Sequence, residues 1–419
     1  MVRTLNTDRP LRRGPLGHPS DRRFCSPRRI AVSVSVVVAL MVTAARANES
    51  AGGETAGESA TKSDVTINSG PLPESLRPYF RIPERWVDDR GDYQSPLIFA
   101  DGSLAKTPAD WQRRRAEILD QWHGEMGRWP APIDDPRLEV VGRTRRDGYE
   151  ERSIRLQWAP HESTQGYLLV PDGEGPFPAV ITVYYEPESA IGRGAELRDF
   201  ALQLTRRGFV TLSLGTTEAT AAKTYGIYHP SLEDAAVEPL SMLAYAATTA
   251  RRALAAEPAV DAARIGITGH SFGGKWAMFA SCLDDRFACA AWSDPGIVFQ
   301  QDRPSINYWE PWYLGYHRQP WRRRGLVTPD NPAHGSYPEL LSQKRDLHEL
   351  HALMAPRPFL VSGGSEDPES RWAPLGHTVA INRLLGVENR VGMSNRPDHS
   401  PNPESNAVIY DFFEHFIGD

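Results

Sequence analysis

Arg264-Ile265-Gly266-Ile267-Thr268-Gly269-His270-Ser271-Phe272-Gly273-Gly274-Lys275 holds the pattern Gly-x-Ser-x-Gly at 269–273. The bare pattern is a weak signal in a Gly-rich chain, so its surroundings carry the reading. Ahead of it, Arg264–Thr268 is a short apolar run of the kind that forms a strand buried on both faces. Behind it, Ser271 to Leu283 reads as a helix. A serine on a sharp strand-to-helix bend is the geometry of a nucleophile elbow. Such a bend holds the serine in a strained backbone conformation. Glycines two before and two after it remove the Cβ atoms that would strike neighbouring backbone. The helix N-terminus also places partial positive charge where an oxyanion would develop.

Outward from this elbow, strands and helices alternate. Leu138–Arg145, Glu150–Trp158 and Gln165–Val170 read as antiparallel strands joined by turns at Asp147-Gly148 and Glu162-Ser163. Strands follow at Ala179–Tyr184, Phe209–Leu214, Arg264–Thr268, Ala288–Trp292, Pro358–Ser362 and Arg390–Ser394. Helices are expected at about 195–207, 235–256, 271–283, 338–354, 372–385 and 403–417. An earlier helix starts at Thr107-Pro108-Ala109-Asp110, with Thr107 as N-cap and Pro108 at the first helical position. This alternation predicts an α/β fold: a mostly parallel central sheet, helices on both faces and an antiparallel N-terminal edge. Residues 71–419 are expected to form a single domain. It would comprise an N-terminal helical extension (71–135) and an irregular, aromatic insertion at about 296–337.

The elbow, the strand order, Ala355-Pro356-Arg357-Pro358 and the late His399 resemble the α/β-hydrolase superfamily over residues 105–419. That resemblance implies a serine nucleophile, Ser271, with an acid and then a histidine following in chain order. His399, in Arg396-Pro397-Asp398-His399-Ser400-Pro401 between the last strand and last helix, is the base this order selects. The other histidines fit structural positions; His270, inside the elbow, is expected to point elsewhere. Asp367, in Gly363-Gly364-Ser365-Glu366-Asp367-Pro368, is the leading acid. Its neighbour Glu366 is an alternative, and so is Asp294, after strand 288–292, where some members of the fold carry the acid. The backbone N–H of Phe272 and that of Tyr185, after strand 179–184, would form the oxyanion hole. Pro187 has no N–H to offer.

Within the superfamily the chain resembles secreted carbohydrate esterases of the acetylxylan and glucuronoyl esterase kind, and dienelactone-hydrolase-type proteins. Trp111-Gln112-Arg113-Arg114-Arg115, followed by Gly127 and Pro130, is similar to the leading helix of glucuronoyl esterases. Lys275 matches a lysine those enzymes use on uronate hydroxyls. Phe272 departs from their pattern, which has arginine there, and so uronate specificity does not transfer directly. In the insertion, Trp309 and Trp312 are candidate substrate-stacking residues, as is Trp372 further on. The resemblance implies a secreted serine carboxylic ester hydrolase on a carbohydrate ester, acetyl or uronoyl, needing no cofactor and no metal. Two other readings are a prolyl-oligopeptidase-like peptidase and a non-catalytic hydrolase-fold binding protein.

Composition sets the remaining bounds. Residues 1–29 hold eight arginines and two acids, followed by the apolar run Ile30–Val42 and small residues up to Ala47. This reads as a signal peptide cleaved near Ala47, sending the chain to the periplasm or outside the cell. The apolar run is too short for a membrane span. Residues 48–70, rich in Gly, Ser, Thr and Glu, read as a disordered linker. The nine basic and two acidic residues of 1–47 leave 38 basic against 51 acidic beyond it, a net charge near −13. That argues against nucleic acid or an anionic membrane surface as a partner. Cys282 and Cys289 read as buried thiols, with a bridge as the alternative.

Overall fold

A computed structural model describes residues 65–418, so the leader and most of the linker lie outside the described residues. The last stretch assigned to the linker departs from expectation. Thr66 N–H donates to Ala263 O and Asn68 N–H to Phe416 O, so residues 65–70 are tied onto the domain.

The first helix, α1 (Pro108–Met126), begins as its sequence predicts. Thr107 Oγ1 accepts from Asp110 N–H at 3.1 Å, and the Asp110 carboxylate accepts from Thr107 N–H at 3.0 Å. Such a reciprocal cap satisfies amides that the first turn otherwise leaves open. Trp111, Ile118 and Trp122 form its buried face. Strands β1 (Glu139–Arg146), β2 (Tyr149–Ala159), β3 (Glu162–Pro171) and β4 (Phe177–Tyr184) follow. Next come α2 (Phe200–Thr205), β5 (Val210–Gly215), α3 (Thr217–Ala221), α4 (Pro239–Ala255), β6 (Val260–His270), α5 (Phe272–Leu283) and β7 (Cys289–Ser293). Beyond the insertion lie α6 (Ser336–Ser342), α7 (His348–Ala352), β8 (Phe359–Gly363), α8 (Trp372–Leu384), β9 (Val391–Asn395) and α9 (Pro403–Ile417).

Among the described residues, all nine strands form one sheet in the order β1-β2-β3-β5-β4-β6-β7-β8-β9. The pairs β1–β2, β2–β3 and β3–β5 are antiparallel; from β5 to β9 every pair is parallel. The parallel strands are the apolar runs because helices cover both of their faces. Helix α5 is buried along its whole length. It is apolar nearly all round, as a helix enclosed on every side must be.

One expected helix, 338–354, is in fact two. Lys344 takes φ 57°, which a continuing helix cannot accommodate. The chain therefore breaks between α6 and α7. Cys282 and Cys289 are both buried and unbridged. Among the described residues no helix is long and apolar enough to cross a membrane.

Between β7 and α6 the chain follows an irregular path held by buried polar groups. Arg322, almost wholly enclosed, pairs with Glu310 at 3.1 Å and donates to the carbonyls of Gly325, Leu326, Asn331 and Pro332. The Glu238 carboxylate, at the start of α4, accepts from Ser336 N–H, Ser336 Oγ and Tyr316 N–H at 2.7, 2.8 and 3.1 Å. Irregular backbone has no ladder to satisfy its amides, so side chains do that work here.

Candidate active site

Ser271 sits between β6 and α5 with φ 57° and ψ −112°, a conformation that costs a non-glycine residue about 1–3 kcal/mol. The neighbouring glycines explain how it is held. A Cβ on Gly273 would lie 1.9 Å from Val183 O, and one on Gly269 would lie 2.4 Å from Gly273 O. The start of α5 is therefore pressed against the end of β4. That contact forces the strained turn and brings the residue after β4, Tyr185, beside the elbow. The Tyr185 and Phe272 rings stack at 4.5 Å between centroids. Phe272 is the first residue of α5, where an N–H has no intrahelical acceptor.

His399 lies in the loop between β9 and α9. Arg396 shapes that loop, donating to the carbonyls of His399 at 2.7 Å, Ser400 at 2.8 Å and Ser362 at 2.8 Å. His399 Nε2 is 2.8 Å from Ser271 Oγ, and its Nδ1 is 2.7 Å from Asp294 Oδ2. Serine, imidazole and carboxylate thus form one hydrogen-bonded series.

The carboxylate in that series corrects the leading expectation: it belongs to Asp294, not Asp367. Asp294 follows β7 directly with φ 50° and has no exposure to solvent. The loop expected to carry the acid instead supplies donors to it. Asp294 Oδ1 accepts from Gly364 N–H at 2.6 Å and Asp367 N–H at 2.9 Å, and Oδ2 from Glu366 N–H at 3.3 Å. These donors satisfy the lone pairs of a carboxylate that has no contact with solvent. Asp367 returns the arrangement, accepting from Gly296 N–H at 2.8 Å and Ile297 N–H at 2.6 Å. Burial and the nearby charge of Asp294 push its carboxyl up to about 6. Glu366 turns away toward the insertion, bonding Ser305 Oγ and lying 3.4 Å from Arg303. The two loops brace each other, and Asp294 alone of the three candidates reaches the imidazole.

His270 does not point away as expected. Its ring lies 4.7 Å from that of His399, and its Nδ1 is 3.1 Å from Ser293 Oγ. Burial, then the neighbouring His399, holds its pKa well below the usual histidine value. A neutral ring packs against the second imidazole without opposing charge on it.

A cleft of about 540 Å³ opens beside the elbow, lined by Tyr185, Glu186, Tyr225, Trp312, Tyr313 and Arg324 among others. Of the expected substrate contacts, Trp312 lines this cleft; Lys275, Trp309 and Trp372 do not. Lys275 is 3% exposed; its ammonium donates to Pro295 O and lies 4.7 Å from the centre of the Tyr308 ring. Burial lowers its pKa to about 8, opposed by Asp367 and then Glu366 and Asp294. The insertion closes over this face of α5, so the amine supports the loop after β7 and does not face the cleft. Trp309 is fully buried, with its indole N–H on Gly325 O, and Trp372 is buried at the start of α8. Large apolar rings in an irregular segment served its packing first.

Sequence reasoning passed over Arg396, which shapes the His399 loop. An arginine three residues before the base, between Asn395 and Pro397 in a turn-forming stretch, is its local signal.

Residues 247–373 match the prolyl oligopeptidase family. A 4-O-methyl-glucuronoyl methylesterase from Thermothelomyces thermophilus is 25% identical over 320 residues, covering 71% of this chain and 74% of that one. A glucuronoyl esterase from Solibacter usitatus superposes with a TM-score of 0.62 at 17% identity, over 78% of this chain and 97% of that one. A glucuronoyl esterase from Teredinibacter turnerae does so with a TM-score of 0.56 at 19% identity, over 76% and 88%. With the strand order above, these likenesses make the fold that of the α/β-hydrolases.

Proposed function

We propose that the chain is a serine carboxylic ester hydrolase acting on a carbohydrate ester, acetyl or uronoyl, through Ser271, His399 and Asp294. One observation carries the reading: Ser271 Oγ, at a strained bend, lies 2.8 Å from an imidazole whose far nitrogen is 2.7 Å from a buried carboxylate. The resemblance to glucuronoyl esterases supports the substrate class.

In this reading Ser271 Oγ attacks the ester carbonyl carbon while its proton passes to His399 Nε2. Asp294 accepts a hydrogen bond from His399 Nδ1–H, which fixes the tautomer with Nε2 basic, and its charge stabilises the imidazolium that forms. The oxyanion takes hydrogen bonds from the N–H groups of Phe272 and Tyr185. The carbon–oxygen bond to the alcohol then breaks, and the departing oxygen takes the proton from His399. Water repeats the sequence on the acyl-serine, with the same histidine as base. The arginine-rich stretch followed by the apolar run Ile30–Val42 supports export of the chain from the cytoplasm.

Fluorophosphonate labelling tests the nucleophile. The wild type should be labelled and Ser271→Ala should not; an unlabelled wild type would support a non-catalytic binding protein. The match over residues 247–373 favours a second reading, a prolyl-oligopeptidase-like peptidase. A panel of acetylated xylan, methyl glucuronate esters, feruloyl esters and a prolyl-anilide peptide separates the two. Turnover confined to the peptide would replace the esterase reading.

A further inference from the structure

Of the charged residues lining the cleft, Glu186, Glu310 and Arg324, Arg324 is the cation. The Glu310 carboxylate pairs with Arg322. Glu186 has its carboxyl raised above the usual range by burial and by Glu188. The Arg324 guanidinium rests 4.9 Å from the centre of the Tyr225 ring and 4.7 Å from that of Trp312. Among the described residues it forms no ion pair and no hydrogen bond, and it is exposed at the mouth of the cleft. The path back to the nucleophile is continuous. The Tyr225 ring is 6.0 Å from that of Tyr185, and Tyr185 stacks on Phe272, the residue after Ser271.

A guanidinium resting against two aromatic rings is partly held in place while its N–H donors stay available to a ligand. Among the described residues none accepts from those donors. In a chain with an acidic surplus, such a group left facing a cleft is most readily explained by what enters the cleft. A second guanidinium, Arg198, stands 5.8 Å from the centre of the Tyr184 ring, likewise without a hydrogen-bonded or ionic partner among the described residues. Tyr184 packs edge-on against Tyr185 at 5.1 Å. The site therefore presents a contiguous set of rings with unpaired positive charge at each end of the series.

We infer that Arg324 is a specificity residue that binds an anionic group, a carboxylate or a sulfate, on a sugar neighbouring the one whose ester is cleaved. This rests on the ester-hydrolase reading above and narrows its substrate class to acidic saccharide esters. The anionic group is not the scissile one; it is a second, free acid that orients the chain across Ser271.

The test uses three acetylated oligosaccharides of similar length: neutral, bearing free uronate, and bearing sulfate. Each is assayed with wild type, Arg324→Gln and Arg324→Lys. Loss of a charge-assisted contact at a part-exposed site corresponds to roughly tenfold. The wild type should prefer one or both anionic esters by about that factor in kcat/KM, mostly through KM. Added salt should shrink the preference. Arg324→Gln should lose most of the anionic-to-neutral ratio, and Arg324→Lys should keep part of it. Which anionic ester carries the preference identifies the group. Turnover of all three with no preference in the wild type, or a ratio within twofold of wild type in Arg324→Gln, would overturn the inference alone. No turnover of any ester, together with no fluorophosphonate labelling, would overturn the esterase reading and this inference with it.

Discussion

Replacing Asp294 and Asp367 separately by asparagine should divide activity from stability. Asparagine keeps the shape of each side chain, and it tolerates the left-handed conformation of Asp294 as well as aspartate does. In Asp294→Asn the amide oxygen can still accept from Gly364 and Asp367 N–H, at the 2.6 and 2.9 Å now occupied by Oδ1. The nitrogen then stands where Oδ2 accepts from His399 Nδ1. It cannot accept that proton, so His399 is driven to the tautomer with hydrogen on Nε2, which cannot take a proton from Ser271. Loss of the correct tautomer and of the charge opposite the imidazolium costs about 10⁴ in kcat in an analogous serine–histidine–aspartate site. In Asp367→Asn one of the two bonds from Gly296 and Ile297 N–H is lost and a donor faces a donor. That costs about 1–3 kcal/mol, a fall in Tm of roughly 1–4 °C in a domain of this size. The backbone N–H of Asp367 still supports Asp294, so kcat/KM should stay within about tenfold. Hydrolysis of a nitrophenyl acetate and thermal unfolding read the two effects. The assignment of the acid is refuted if Asp294→Asn keeps kcat/KM within tenfold of wild type, or if Asp367→Asn loses more activity than Asp294→Asn.

Two further outcomes follow from packing and from charge. Gly273→Ala should yield little folded protein, because its Cβ would overlap Val183 O at 1.9 Å, a backbone atom with no freedom to yield. Gly124→Ala in α1, with nothing within 4 Å, should instead stabilise by about 0.5–1 kcal/mol. Equal effects in a thermal melt would contradict the elbow geometry. Glu238 tests the pH dependence. Burial raises its carboxyl to about 7 against an unfolded value of 4.5, despite the donors from Ser336 and Tyr316. The folded state therefore holds the proton more tightly. The stabilisation this brings is complete below about pH 4.5 and is lost as pH rises to about 7, on the order of 3 kcal/mol at the limit. Glu238→Gln cannot titrate, so wild-type Tm minus variant Tm should fall from pH 5 to pH 8. A difference that rises with pH would show the sign to be wrong.

Local patterns made much of this protein legible. Alternation and apolar runs marked the strands, because burial on one face or two leaves a distinct period along the chain. Thr107, Pro108 and Asp110 marked the start of α1, because capping depends on residues three apart. Glycines at 269 and 273 marked the elbow, because their cost is steric and local. Chain order pointed to His399, which lies beside Ser271.

The acid was decided only by tertiary structure. Asp294 and Asp367 each follow a strand in a turn rich in glycine or proline, so no local signal separates them. What separates them is the pairing of β7 with β8 and the path of two loops, which set one carboxylate 2.7 Å from an imidazole 105 residues away. Hydrogen bonds act over about 3 Å, and that distance is a property of the packed fold, not of either segment. Lys275, Trp309 and Trp372 illustrate the same limit. Residue type made them candidates for the cleft, but the path of the insertion and the packing of α8 buried them and left Trp312 and Arg324 at its mouth.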